Sequence, residues 1–207
     1  MTTTLFAQDI TLNEIESRFN LSLNEASDFF PEWQLPSPEI TSQEKVWLDK
    51  VKASYMHLSK YPVMLENAVQ ITVLSPLLHL SNLLLPPFQL KTETSVMIST
   101  ADDEIRIEGR IDILTVKDSF WVLVIESKRA ELSVKVGFAQ ILAYMLATPT
   151  PDKPCFGLIT NGSSFVFVKL VINETPQYAM SHMFDLVNPG NDLYTVLGIL
   201  KNICQLT

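Results

Sequence analysis

Gly109-Arg110-Ile111-Asp112-Ile113-Leu114 and, after a short turn at Lys117-Asp118-Ser119, Phe120-Trp121-Val122-Leu123-Val124-Ile125-Glu126-Ser127-Lys128 decide the fold of this chain. Both runs are rich in β-branched and aromatic residues, which predicts strands over Ile105 to Val116 and Phe120 to Lys128. Strands joined by so short a turn must run antiparallel. Asp112 interrupts the apolar run of the first strand, and the second ends on Glu126 and Lys128. Side chains alternate along a strand, so Glu126 and Lys128 share one face and Ser127 takes the other.

On the downstream side, Ser133 to Ala147 reads as a helix. Ser133, Gly137, Gln140 and Tyr144 fall at spacings of four, three and four, a small or polar stripe on an otherwise Val, Phe, Ile, Leu and Met surface. A buried helix aims such a stripe at something polar, and the end of the strand at Glu126 and Lys128 is the nearest candidate. Cys155 to Thr160 and Phe165 to Val171 read as strands joined at Asn161-Gly162. A strand, crossover helix and strand in that order place Cys155 to Thr160 parallel to the strand ending at Lys128. Asn191 to Cys204 reads as a closing helix with Leu193, Val196, Leu197, Leu200 and Ile203 on its packed face.

On the upstream side, Phe88 to Ser99 alternates as a strand and enters the Asp112 strand through a polar turn at Thr100-Ala101-Asp102-Asp103. Before it, Met64 to Leu80 reads as a helix kinked or broken at Pro76. Thr41 and Glu44 form a capping-box pattern for a helix running to about Tyr61, with Pro62 as its boundary. Leu12 to Phe30 carries a loose helical spacing for one or two short helices. The expected fold is therefore α/β (α+β), a mixed central sheet of about five strands flanked by helices. Residues 1–62 form an N-terminal helical extension and residues 63–207 the principal domain.

Composition narrows the function. The net charge of −8 argues against a protein whose affinity for polyanions comes from clustered Lys and Arg, but carboxylates that hold metal ions are compatible with it. Cys155 and Cys204 show no paired spacing, and no leader is read, so a cytoplasmic location is expected. His57, His79 and His182 are isolated from the cysteines and from one another. The most apolar stretch, Ile71 to Leu90, is interrupted by Ser, Asn, His and Pro residues and makes a poor membrane span.

Two carboxylates converging at neighbouring strand ends, Asp112 and Glu126, suit a hard divalent cation held through oxygen. Lys128, one pleat beyond Glu126, is placed to orient or deprotonate a water or to neutralise charge developing on a phosphate. Gln140 and Tyr144 join this site through the helix stripe. Arg129 and Lys135, beside it in sequence, read equally well as phosphate contacts and as solvated charges. Arg110 shares a face with Asp112 and is a candidate ion-pair partner for it.

At these residues the chain resembles the PD-(D/E)XK nuclease superfamily, in which an Asp on one strand and a Glu-x-Lys on the next bind metal and activate water. Asp112 and Glu126-Ser127-Lys128 match those elements, and Gln140-x-x-x-Tyr144 looks like the Q-x-x-x-Y motif of RecB-type members. Glu66, followed by Pro76-Leu77-Leu78, is similar to the start of the nuclease domain in type I restriction R subunits, although Glu44 also lies on a preceding helix. Gly109-Arg110-Ile111-Asp112 departs from the Pro-Asp of the superfamily name. The resemblance spans about Glu66 to Leu170. It implies a restriction-endonuclease-like fold and a DNA nuclease, more an endonuclease than an exonuclease. Mg²⁺ is the implied cofactor, with Mn²⁺ as a substitute, held by Asp112, Glu126 and Glu66. It also leaves room for further subunits of a restriction or DNA-processing assembly and for a homodimer. The competing reading is a catalytically inactive scaffold on the same fold. No G-x-x-x-x-G-K-[ST] occurs, so a translocating motor would be another polypeptide.

Overall fold

The computed structural model describes residues 3–36, 38–61, 65–100, 104–130 and 133–206. The expected boundary at Pro62, the start of a helix at Met64, the Ala101-Asp102-Asp103 part of the polar turn and Glu131 lie outside them. The chain is mixed α/β, with one large mixed sheet covered by helices on both faces.

The centre of the sheet follows from the sequence. Strands β3 (Phe88–Ser99), β4 (Ile105–Lys117) and β5 (Phe120–Ser127) form an antiparallel meander. β6 (Cys155–Thr160) pairs parallel with β5, and β7 (Ser164–Val171) returns antiparallel beside it. The Asn161 side chain closes that hairpin by accepting from the Ser163 and Ser164 N–H groups. β6 is buried throughout, and β5 is buried except at the half-buried Trp121 and apolar up to Glu126, as strands covered on both faces are.

Among the described residues the sheet has nine strands rather than about five. The other four are β1 (Thr3–Phe6), β2 (Ser22–Leu23), β8 (Gln177–Met180) and β9 (Phe184–Asp185). All are short, and their positions are set by main-chain pairing to longer strands rather than by an apolar pattern of their own. Within residues 1–62, expected as a helical extension, β1 and β2 join the sheet beside the helices. β1 runs parallel to β4 along Ile105 to Glu108, and β2 pairs with β8. Of the one or two short helices expected over Leu12 to Phe30, one forms, α1 (Leu12–Phe19). It stops where Asn20 takes a left-handed conformation with φ of 51°.

Helices divide between the two faces. α2 (Ser42–Leu58) starts at the expected capping box, in which the Thr41 hydroxyl accepts from the Glu44 N–H and the Glu44 carboxylate accepts from the Thr41 N–H. It packs with α3 (Glu66–Val69), a π-helical turn at Gln70–Leu74, α4 (Ser75–Leu80) and α6 (Leu193–Leu206) over Ile113, Leu123 and Ile125. Helical structure thus continues from Glu66 to Leu80. The wide turn sits directly before Pro76, whose missing N–H and bulky ring a regular α-turn accommodates poorly. The opposite face, bearing Leu114, Val116 and Val124, is covered by α1 and α5 (Phe138–Leu146). No helix among the described residues is long and apolar enough to cross a membrane.

One detail of the register positions the site. Pairing of β4 with β5 covers Ile113 to Lys117, whereas its pairing with β1 covers Ile105 to Glu108. Between these two neighbours the edge of β4 is uncovered, and Asp112 lies there.

Candidate active site

Asp112, Glu126, Lys128, Gln140, Tyr144 and Glu66 line one cleft of about 730 Å³ at this gap. Each reaches it from a different constraint. β5 stays hydrogen-bonded to β6 through Ser127, and the Lys128 N–H still donates to the Thr160 carbonyl at 2.8 Å, after its pairing with β4 has ended. The strand end is therefore rigid on one side and open on the other. The Ser127 N–H instead donates to Asp112 Oδ2 at 2.8 Å, and the Ser127 hydroxyl donates to the same oxygen at 2.6 Å.

Glu126 and Lys128 face α5, as strand alternation requires. Lys128 Nζ donates to Glu126 Oε1 and to Gln140 Oε1, both at 2.7 Å. Gln140 Nε2 in turn donates to Tyr144 Oη at 2.7 Å, which fixes the amide with its oxygen toward the lysine. An ammonium carries three N–H donors, and two are used here, so the third is available to a ligand in the cleft. Two glycines let these parts approach. A Cβ on Gly109 would lie 2.4 Å from the Tyr144 ring, and one on Gly137 would lie 2.9 Å from Ile159 and 3.4 Å from the Lys128 stem.

Glu126 is the strained member electrostatically. It is only 3% exposed, and burial, reinforced by the charges of Asp112 and Glu66, raises its pKa to about 8 against the opposing pull of Lys128. Its second oxygen, Oε2, is buried without a hydrogen-bond partner among the described residues. A buried carboxylate oxygen with no donor, beside a second carboxylate, fits a cation better than it fits any neutral group. Among the described residues no three His, Cys, Asp or Glu side chains form a ready-made cage. Two carboxylates completed by water and substrate oxygens are nevertheless a sufficient donor set for Mg²⁺. The same environment raises the Tyr144 hydroxyl to about 12, by burial first and then by the Glu126 charge.

The remaining expected residues divide clearly. Glu66, not Glu44, reaches the cleft. Glu44 is committed to its capping box and to an ion pair with Lys201 at 2.6 Å. Arg110 pairs with Glu93 rather than with Asp112. Arg129 and Lys135 are solvent-exposed and neither lines the cleft. Ser133 serves as the N-cap of a short 3-10 turn, Val134–Gly137, that precedes α5. Sequence reasoning missed Glu93 and Glu108 on the cleft wall and Gln70, whose Nε2 donates to the Ser127 hydroxyl at 2.7 Å. Gln70 lies one helical turn from Glu66, but Asn67 beside it breaks any polar stripe that would have marked it. No family model matches the chain, and no curated protein matches it.

Proposed function

We propose that this chain is a Mg²⁺-dependent nuclease of restriction-endonuclease-like fold that hydrolyses DNA phosphodiester bonds, acting as an endonuclease within a restriction or DNA-processing system. The observation that carries the reading is the convergence of Asp112, Glu126 and Lys128 at one strand gap, where Lys128 holds one oxygen of Glu126 and the other, Oε2, is buried without a hydrogen-bond partner among the described residues. Asp112 and Glu126, with Glu66 at the rim, would hold the metal ion. Such an ion polarises the phosphate and lowers the pKa of a bound water. The chain's own residues do the rest. Lys128 directs its third N–H into the cleft, where it orients the attacking water or neutralises charge on a non-bridging phosphate oxygen. Gln140 and Tyr144 hold that ammonium in place.

Charge supports a role for the metal in admitting substrate. The cleft presents Glu66, Glu93, Glu108 and Asp112, with Glu126 held largely protonated near neutral pH, against Arg110 and Lys128. Such a surface repels a polyanion, and divalent cations held by Asp112, Glu126 and Glu66 would offset that repulsion. The same acidity favours the alternative reading, a scaffold that has kept the fold without the activity. Lys128→Ala separates the two. It is expected to lower cleavage of linear, nicked or single-stranded DNA by at least about a hundredfold while Mn²⁺ still binds. Cleavage at the wild-type rate by that variant removes Lys128 from the mechanism. A wild-type protein that binds neither Mg²⁺ nor Mn²⁺ by calorimetry and cleaves nothing supports the scaffold.

A further inference from the structure

One helical layer reaches Asp112 through a directed chain of hydrogen bonds. Gln70 Nε2 donates to Ser127 Oγ at 2.7 Å, and Ser127 Oγ donates to Asp112 Oδ2 at 2.6 Å. A serine hydroxyl has one proton and two lone pairs. Because the Gln70 amide occupies a lone pair as donor, the single proton is left for the carboxylate. The Ser127 N–H adds a second donor to the same oxygen. One oxygen of Asp112 is thereby held from two directions by a residue that is itself 1% exposed and cannot turn away.

We infer that Gln70 and Ser127 are positioning residues that hold the Asp112 carboxylate in its metal-binding orientation, with Gln70 setting the direction of the serine proton. The inference rests on the proposed metal site. It goes beyond it by assigning a role to the residue between Glu126 and Lys128 and to a helix residue distant in sequence. Placement explains why each type is required. Ser127 faces the α2, α3 and α4 layer while its neighbours Glu126 and Lys128 face α5. The strand end therefore supports one carboxylate from each side of the sheet: Asp112 through Ser127 and Gln70, and Glu126 through Lys128, Gln140 and Tyr144. Gln70 sits at the first position of the π-helical turn, where its backbone carbonyl accepts from the Ser75 N–H five residues on. Turns of this kind recur at functional sites.

The test is Mn²⁺ calorimetry on the full chain as wild type, Gln70→Met, Ser127→Ala and the double variant, with thermal melts of each metal-free protein. Residues that orient a metal ligand typically contribute about ten- to a hundredfold in metal affinity. Each single variant is therefore expected to bind Mn²⁺ at least about tenfold more weakly with its fold retained. The double variant is expected to be no worse than Ser127→Ala, because Gln70 acts only through the hydroxyl. A general packing role predicts that the two losses multiply, and that outcome overturns the chain of action. Gln70→Met binding like wild type overturns it equally. Gln70→Ala serves where the methionine perturbs the helix, with the same two outcomes. A wild-type protein that binds no Mn²⁺ refutes the metal site itself, and this inference with it.

Discussion

At the proposed metal site, binding of a divalent cation should release a proton from Glu126. In the metal-free chain, burial and two neighbouring acids hold that carboxyl at about 8, so at pH 7 it is about nine-tenths protonated. A cation at Oε2 requires the carboxylate. The expected release is therefore about 0.9 proton per site at pH 7, falling to about one half at pH 8. Affinity then rises about fiftyfold from pH 6 to pH 8 and flattens above it. The assay is calorimetric titration with Mn²⁺ or Mg²⁺ in two buffers of different ionisation enthalpy, which reads the released proton directly. The linked effect on stability has a definite sign. A carboxyl raised in the folded state from 4.5 to about 8 adds no penalty below about pH 4.5. The penalty grows as pH rises through that interval and is complete above about 8, where it is on the order of 5 kcal/mol. Glu126→Gln removes it, so the variant should gain stability relative to the metal-free wild type as pH rises from 5 to 8 while losing metal. A metal affinity that is constant from pH 6 to 8, with no dependence on buffer enthalpy, refutes the electrostatic account of Glu126.

Other perturbations probe the supports. Gly109→Ala places a methyl group against the Tyr144 ring and Ala7. It should cost about 1–3 kcal/mol in denaturant unfolding and lower cleavage, because the displaced tyrosine releases Gln140. Glu32→Ala leaves Lys169, its buried partner at 2.6 Å, without a countercharge. It should destabilise by about 3–5 kcal/mol while leaving Mn²⁺ affinity unchanged, since neither residue lines the cleft. Thr41→Ala removes the cap of α2 and should cost about 1 kcal/mol in the same unfolding assay.

The alternation of Phe120 to Lys128 made the strand and the shared face of Glu126 and Lys128 legible, because a two-residue period is a local property of the backbone. The Gln140 and Tyr144 stripe was legible for the equivalent helical reason. β1, β2, β8 and β9 were not, since two to four residues carry too little pattern and take their conformation from the strand they pair with. Arg110 could have paired with Asp112 by alternation alone, yet it turns to Glu93, which takes a positive φ of 53° on the neighbouring strand. That is a tertiary choice between two nearby acids.

The sequence by itself determined the central meander, the parallel return of β6 and the placement of Asp112, Glu126 and Lys128 at neighbouring strand ends. Each of these follows from periodicity, turn length or the handedness of a crossover, all of which act over a few tens of residues. Only the tertiary structure decided which helical acid joins them and what holds Asp112. Glu44 and Glu66 both precede the sheet on helices, and the packing of those helices turns Glu66 into the cleft while Lys201 takes Glu44 away. Gln70 and Ser127 meet across 57 residues of chain because β5 ends against the π-helical turn. No local pattern encodes that contact, since it depends on how far β4 and β5 stay paired before the gap at Asp112 opens.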